Sequence, residues 1–285
     1  MPGLITSGWR SVGSTRSSSP PRFDRRKWAL AAIGGAVWLG TSACSASTKA
    51  GRLGYPAPIT EEGQNISLPF WQNSWIAAFS VGGFTLALIL WSIVVYRRRK
   101  GQGLPRQVRY NLPLELLYTA APAVIVLVMF VFTAQDQATL TKTSTTYRNE
   151  VNVVGFRWAW TFNYTKDDAY DTGTPDSPST LWLPVNEKTR FNLTSPDVIH
   201  DFWVPAFLFK MDVIPGRLNQ FELTPNQLGT YVGKCAELCG VDHSRMLFNV
   251  KVVSQADYDA HIASLRANGQ SGQLPTGRVV TTGVQ

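Results

Sequence analysis

The chain has 285 residues, 44% of them hydrophobic, and a formal net charge of +8. That charge is local: from residue 135 onward there are 13 Lys/Arg and 15 Asp/Glu, a net of −2. This balance excludes a basic nucleic-acid-binding face on the C-terminal half, and two long apolar runs in the first half predict a membrane anchor joined to one globular domain.

Residues 1–43 read as an export signal. A polar, basic stretch from Ser17 to Lys27 precedes the apolar segment Trp28–Leu39, which is too short to span a bilayer. The small residues Thr41, Ser42 and Ala43 then lead to Cys44. Cys44 resembles the lipid-modified cysteine of a bacterial lipoprotein, although Thr41 replaces the larger aliphatic residue usual there. The other reading of Cys44 is an ordinary small residue behind an uncleaved anchor. Residues 44–72 are expected to be an extracytoplasmic segment.

Two transmembrane helices are expected next, near Trp75–Tyr96 and Leu114–Thr133, in a hairpin over residues 73–134. Trp71, Trp75, Tyr96 and Tyr118 stand where interfacial aromatics belong. The connecting loop carries Arg97, Arg98, Arg99, Lys100, Arg106 and Arg109 with no acid, which places it in the cytoplasm and the C-terminal domain outside. Glu115 lies at the cytoplasmic end of the second span. It is either a functional intramembrane carboxylate or an acid favoured by the helix dipole.

From residue 135 to 253 the pattern is of short strands separated by polar or Gly/Pro turns, which predicts a β-sandwich or barrel. Strands are expected at 151–154, 157–163, 180–183, 189–193, 220–223, 229–233 and 248–253. Ser254-Gln255-Ala256-Asp257 reads as a helix start, so residues 254–285 should form a short C-terminal helix and a loose tail from Gly269.

The chemistry concentrates in one stretch, Cys235-Ala236-Glu237-Leu238-Cys239-Gly240-Val241-Asp242-His243-Ser244-Arg245-Met246. Two thiols, an imidazole and a thioether suit a copper electron-transfer site. A Cys235–Cys239 disulfide would leave His243 and Met246 unexplained, and zinc disfavours methionine. A binuclear site would need a second histidine, for which His200 is the candidate.

Several runs together resemble subunit 2 of cytochrome c oxidase. They are Ser195-Pro196-Asp197-Val198-Ile199-His200, Lys210-Met211-Asp212, Ile214-Pro215-Gly216-Arg217-Leu218-Asn219-Gln220 and Cys235-Ala236-Glu237-Leu238-Cys239-Gly240. The resemblance covers roughly residues 65–285. It implies a two-helix transmembrane hairpin plus an all-β cupredoxin-like barrel in the bacterial plasma membrane, holding the binuclear copper-A centre. Cys235 and Cys239 would bridge the coppers, His200 and His243 would each bind one, and Met246 and the Glu237 carbonyl would be weak ligands. The Glu237 side chain would face a magnesium ion shared with subunit 1. Trp158, in Gly155-Phe156-Arg157-Trp158-Ala159-Trp160, matches the electron-entry residue; its plain reading is a buried aromatic. Glu115 matches a carboxylate at the mouth of a proton channel. The implied partners are subunits 1 and 3, which bring the haems, and a cytochrome c that is soluble or held in a supercomplex. A copper chaperone would need no hairpin, and a copper-A reductase would need a further catalytic domain.

Overall fold

The structure is a computed structural model that describes residues 51–98, 101, 103 and 107–276. Cys44 and the export signal lie outside the described residues.

Helix α1 spans Leu68–Val95 and is entered through a wider helical turn at Gly63–Ser67; helix α2 spans Leu112–Thr141. Both are long and apolar enough to cross a membrane, and their large side chains, such as Ile76, Phe79, Leu127 and Phe132, are exposed along their length. Apolar surface on this scale needs lipid or protein around it. Each helix begins earlier than the hydropathy predicts, and α2 runs past Thr133 to Thr141. The apolar window marks only the most hydrophobic turns, whereas the flanking turns are fixed by side-chain contacts, such as Gln72 donating to Gly51 O and Tyr55 stacking on Trp71. At the start of α2, the Asn111 side chain accepts from Leu114 N, and the Glu115 carboxylate accepts from Asn111 N at 2.9 Å. This is a reciprocal cap of the kind that ends a helix without stray donors.

Ten strands follow: β1 Asn149–Phe156, β2 Ala159–Tyr164, β3 Ala169–Thr172, β4 Thr180–Pro184, β5 Thr189–Thr194, β6 His200–Val204, β7 Phe209–Val213, β8 Asn219–Leu223, β9 Gly229–Cys235 and β10 Leu247–Val253. They form two sheets, ordered β3-β2-β1-β5-β8 and β4-β10-β9-β6-β7. The β1–β5 and β10–β4 pairs are parallel, and the other pairs are antiparallel. Alternation fixes which face is inside: Phe248, Val250 and Val252 of β10 are buried, while Asn249 and Lys251 between them are partly exposed. Phe162, Phe191, Phe202, Phe221 and Phe248 meet at the centre, and each such ring contributes roughly 1.5–3 kcal/mol by leaving water. Gly233 of β9 has no room for a side chain, because a Cβ there would lie 2.1 Å from the Phe248 ring.

The hairpin is tied to the barrel at both of its outer ends, and both ties reach β8 and the residues just after it. Before α1, Ile59 N donates to Ala206 O, Glu61 N donates to Thr224 O, and the Glu62 carboxylate accepts from Thr224 N and Oγ1. After α2, Ser144 N and Oγ donate to the Glu222 carboxylate, at 3.0 and 2.8 Å, and Arg190 donates to it as well.

Helix α3, Gln255–Ala267, starts at Ser254, whose hydroxyl accepts from Asp257 N, and it packs Tyr258, Ile262 and Leu265 inward. The described part of the tail beyond it, residues 269–276, is held by specific contacts. Ser271 bridges to Ala169, and Leu274 exchanges two hydrogen bonds with the buried side chain of Asn163. Edge strand β3 and the Asn163 side chain of β2 together hold it.

Candidate metal centre

His200 opens β6 and Cys235 closes β9, and these strands pair directly, with Phe202 opposite Cys235. The loop 236–246 then returns to β10. Its base is closed by Cys235 N donating to Met246 O at 3.0 Å, so that Cys235 and Met246 stand side by side. A single 3-10 turn at His243–Arg245 swings His243 back over Cys239.

The result is one cluster. The Cys235 and Cys239 sulfurs are 3.9 Å apart and unbonded. His200 Nδ1 lies 3.9 Å from Cys235 Sγ, and His243 Nδ1 lies 3.5 Å from Cys239 Sγ. Met246 Sδ is 3.7 Å from Cys239 Sγ, and the Glu237 carbonyl oxygen is 3.2 Å from Cys235 Sγ. His200, Cys235 and Cys239 bring their ligand atoms within 4.8 Å of one another. His200, Cys235, Cys239 and Met246 are buried, and His243 is half-buried. The Glu237 side chain is exposed.

Electrostatics specify what this cluster wants. Burial and the neighbouring Cys235 thiol push the Cys239 thiol up to about 12. Two thiolates this close repel each other, so both ionise only with a cation between or beside them. Burial also lowers His200, against the opposing pull of Asp197. Asp197 would be raised by its own burial, but bonds from Arg157 N, His200 and Val198 N hold it down at about 2. An ionised carboxylate only accepts hydrogen bonds, so His200 Nε2, 2.9 Å from Asp197 Oδ1, carries the proton. That leaves the Nδ1 lone pair free on the side of the sulfurs, which is how a carboxylate behind a metal-binding histidine fixes its tautomer.

Soft sulfur, two imidazole nitrogens and a buried thioether fit copper by donor chemistry. A zinc site would leave Met246 without a role. Of the residues singled out from the sequence, the structure brings His200, Cys235, Glu237, Cys239, His243 and Met246 together. Trp158 lies beside them, half-buried, against Gly240: a Cβ on Gly240 would sit 3.0 Å from Trp158 Nε1. Glu115 is distant in the chain and serves the cap of α2. Two supporting residues were not assigned from sequence. Asp197 lies three positions before His200, a spacing that could have flagged it. Trp160 is fully buried, stands 6.2 Å from the His200 ring, and donates Nε1–H to Met246 O at 3.4 Å.

Two membrane-length helices, a two-sheet β domain and a Cys/His/Met cluster define a chain built for a membrane anchor and a candidate metal centre. The model of the cytochrome c oxidase subunit II periplasmic domain matches residues 175–253. A protein named probable cytochrome c oxidase subunit 2, from Streptomyces coelicolor, is 46% identical over 309 residues, covering 95% of this chain and 96% of that protein. Cytochrome c oxidase subunit 2 of Mycobacterium tuberculosis is 32% identical over 306 residues, covering 87% and 84%. The crystal structure of the periplasmic domain of subunit II of cytochrome oxidase from Bradyrhizobium japonicum is 28% identical, with a TM-score of 0.42, and covers 44% of this chain and 99% of that one. The chain belongs to the cytochrome c oxidase subunit 2 family. As a member of that family it belongs with the subunits of a cytochrome c oxidase complex, and its β domain is the part matched by the family's periplasmic-domain model.

Proposed function

We propose that this chain is the electron-entry subunit of its oxidase, accepting single electrons from a cytochrome c and passing them to haem a in subunit 1. The observation that carries this reading is the pair of buried, unbonded thiols flanked by two imidazole Nδ1 atoms, a thioether and a backbone carbonyl. Cys235 and Cys239 would bridge a pair of copper ions, with His200 and His243 as terminal ligands and Met246 and the Glu237 carbonyl as weak ones. Copper so bound supplies a one-electron couple shared over two metals. The chain's own part is to hold these donors rigid between paired strands, so that little has to move when the charge changes. Trp158, packed on the ligand loop, is the entry point from the donor.

The Glu237 side chain would hold a magnesium ion against subunit 1, and Glu115 would stand at the entrance of a proton channel there. Oxygen reduction and proton pumping belong to the complex, with subunits 1 and 3 as partners. In this reading both helices cross the membrane, the basic loop is cytoplasmic and residues 135–253 form the copper domain outside. The chain would be cut after Ala43 and lipidated on Cys44. The test is metal analysis and electron paramagnetic resonance of the complex purified from membranes. A signal from one electron shared by two copper nuclei is expected; a mononuclear copper signal, or zinc in its place, would refute the proposal.

A further inference from the structure

We infer that Trp160 is a positioning residue of the metal centre: its buried indole ties Met246, Cys235 and His200 to the opposite sheet and so helps to set the reduction potential. This rests on the copper reading above and adds how the chain tunes that site.

Trp160 lies on β2 in one sheet, whereas His200, Cys235 and the strand that follows Met246 belong to the other. Its Nε1–H donates to Met246 O at 3.4 Å, and the same oxygen accepts from Cys235 N at 3.0 Å. One acceptor thus joins the backbones of two donor residues to the indole. The ring also meets His200 edge-on, with centroids 6.2 Å apart, and packs edge-on against Phe202 and Phe248 at 5.8 and 5.3 Å. Edge-on contacts at these separations suit the charge distribution of aromatic rings, so the indole has one preferred seat.

The other end of Trp160 is fixed as well. Its carbonyl accepts from Ser179 Oγ at 2.9 Å and from Gly173 N at 3.1 Å. Gly155 stands opposite it on β1, and a Cβ there would lie 3.0 Å from Trp160 Cζ3 and 3.3 Å from His200 Cδ2. The missing side chain lets the two rings close up. A close-packed interior transmits small displacements, so a ring held at its backbone and its edge hands its position on to the donors it touches. Without the indole N–H, the Met246 backbone loses its tie to the first sheet and the thioether is free to recede. A receding donor stabilises oxidised copper less, which favours the reduced form.

The experiment compares complexes purified from membranes by copper content, by the absorption of the oxidised copper and by redox titration. Trp160→Phe keeps a ring but removes the N–H. It should retain copper, move the absorption maximum and shift the reduction equilibrium at least about threefold towards the reduced form. Gly155→Ala leaves every donor in place but wedges the two rings, and it should also move the absorption at full copper content. Phe162→Leu is the control: Phe162 is equally buried and packs on Phe248, so its loss should lower Tm and leave absorption and potential unchanged. A Trp160→Phe complex with the original absorption and potential would overturn the proposal. So would a Phe162→Leu shift as large as that of Trp160→Phe, because any loosening of the core would then suffice. If Trp160→Phe does not assemble, Gly155→Ala decides, and an unmoved absorption there overturns the proposal. Absence of copper from the unaltered complex would overturn the copper reading and this proposal together.

Discussion

The roles of single side chains follow from what each touches. Met246 is fully buried with its sulfur 3.7 Å from Cys239 Sγ, and leucine has nearly its volume. Met246→Leu should therefore keep the fold and, if copper is bound as proposed, the metal, while shifting its reduction potential, because a thioether would be a weak donor that tunes more than it holds; metal content and a redox titration of the purified complex check this. Asp197 acts one bond further out. Asp197→Asn removes the charge that keeps the His200 proton on Nε2, and copper affinity should fall by about 10–100-fold in competition with a chelator. The clustering of the proposed ligands was legible because five of the six positions fall within twelve consecutive residues. Asp197 and Trp160 stand inside runs that the resemblance covers, but their roles come from contacts to His200 Nε2 and to Met246 O. The Trp160 contact spans 86 positions of chain, a distance that local spacing does not encode.

At the scale of elements, the hairpin's grip on the barrel rests on short segments. Glu222 is nearly buried and takes bonds from Ser144 and Arg190 that hold its carboxyl below the ordinary range despite burial. Glu222→Ala should cost about 2–3 kcal/mol, the usual worth of hydrogen bonds to a charged group, and hydrogen exchange should rise first in residues 142–148. Helix α3 gives a pH signature. His261 stacks on Trp182 with ring centroids 4.0 Å apart, and burial, aided by the charge on Lys251, pushes it down to about 4. A base held neutral by burial binds fewer protons folded than unfolded, so its contribution is complete above the ordinary histidine value of about 6.5. It is lost as pH falls from there towards about 4, and is flat below. The difference in Tm between His261→Phe and the unaltered chain should change across that window and nowhere else. Seven of the ten strands were legible from β-branched and aromatic runs. The sequence reading missed β3, β6 and β7. β3 has four residues, while β6 and β7 carry Asp201, Lys210 and Asp212 in a face-to-face register that looks like loop composition when read singly. Their charges meet across the sheet, with Lys210 3.7 Å from Asp201.

For the whole molecule, the division into a membrane hairpin and one β domain was readable from hydropathy alone, because lipid and water impose different composition on the two parts. What hydropathy does not contain is the joint, where Glu62, Ser144 and the β8 region fix the barrel against the ends of both helices. The order of the strands has a further consequence. His200 lies on β6, Cys235 ends β9, the other donors lie between β9 and β10, and β10 completes its sheet only by lying parallel to β4, far back in the chain. The donors are therefore gathered only once the chain is made through β10 and that strand has closed its sheet against β4. If copper is bound as proposed, whatever delivers it meets either scattered thiols or a finished pocket, so metal acceptance would double as an inspection of the completed β domain.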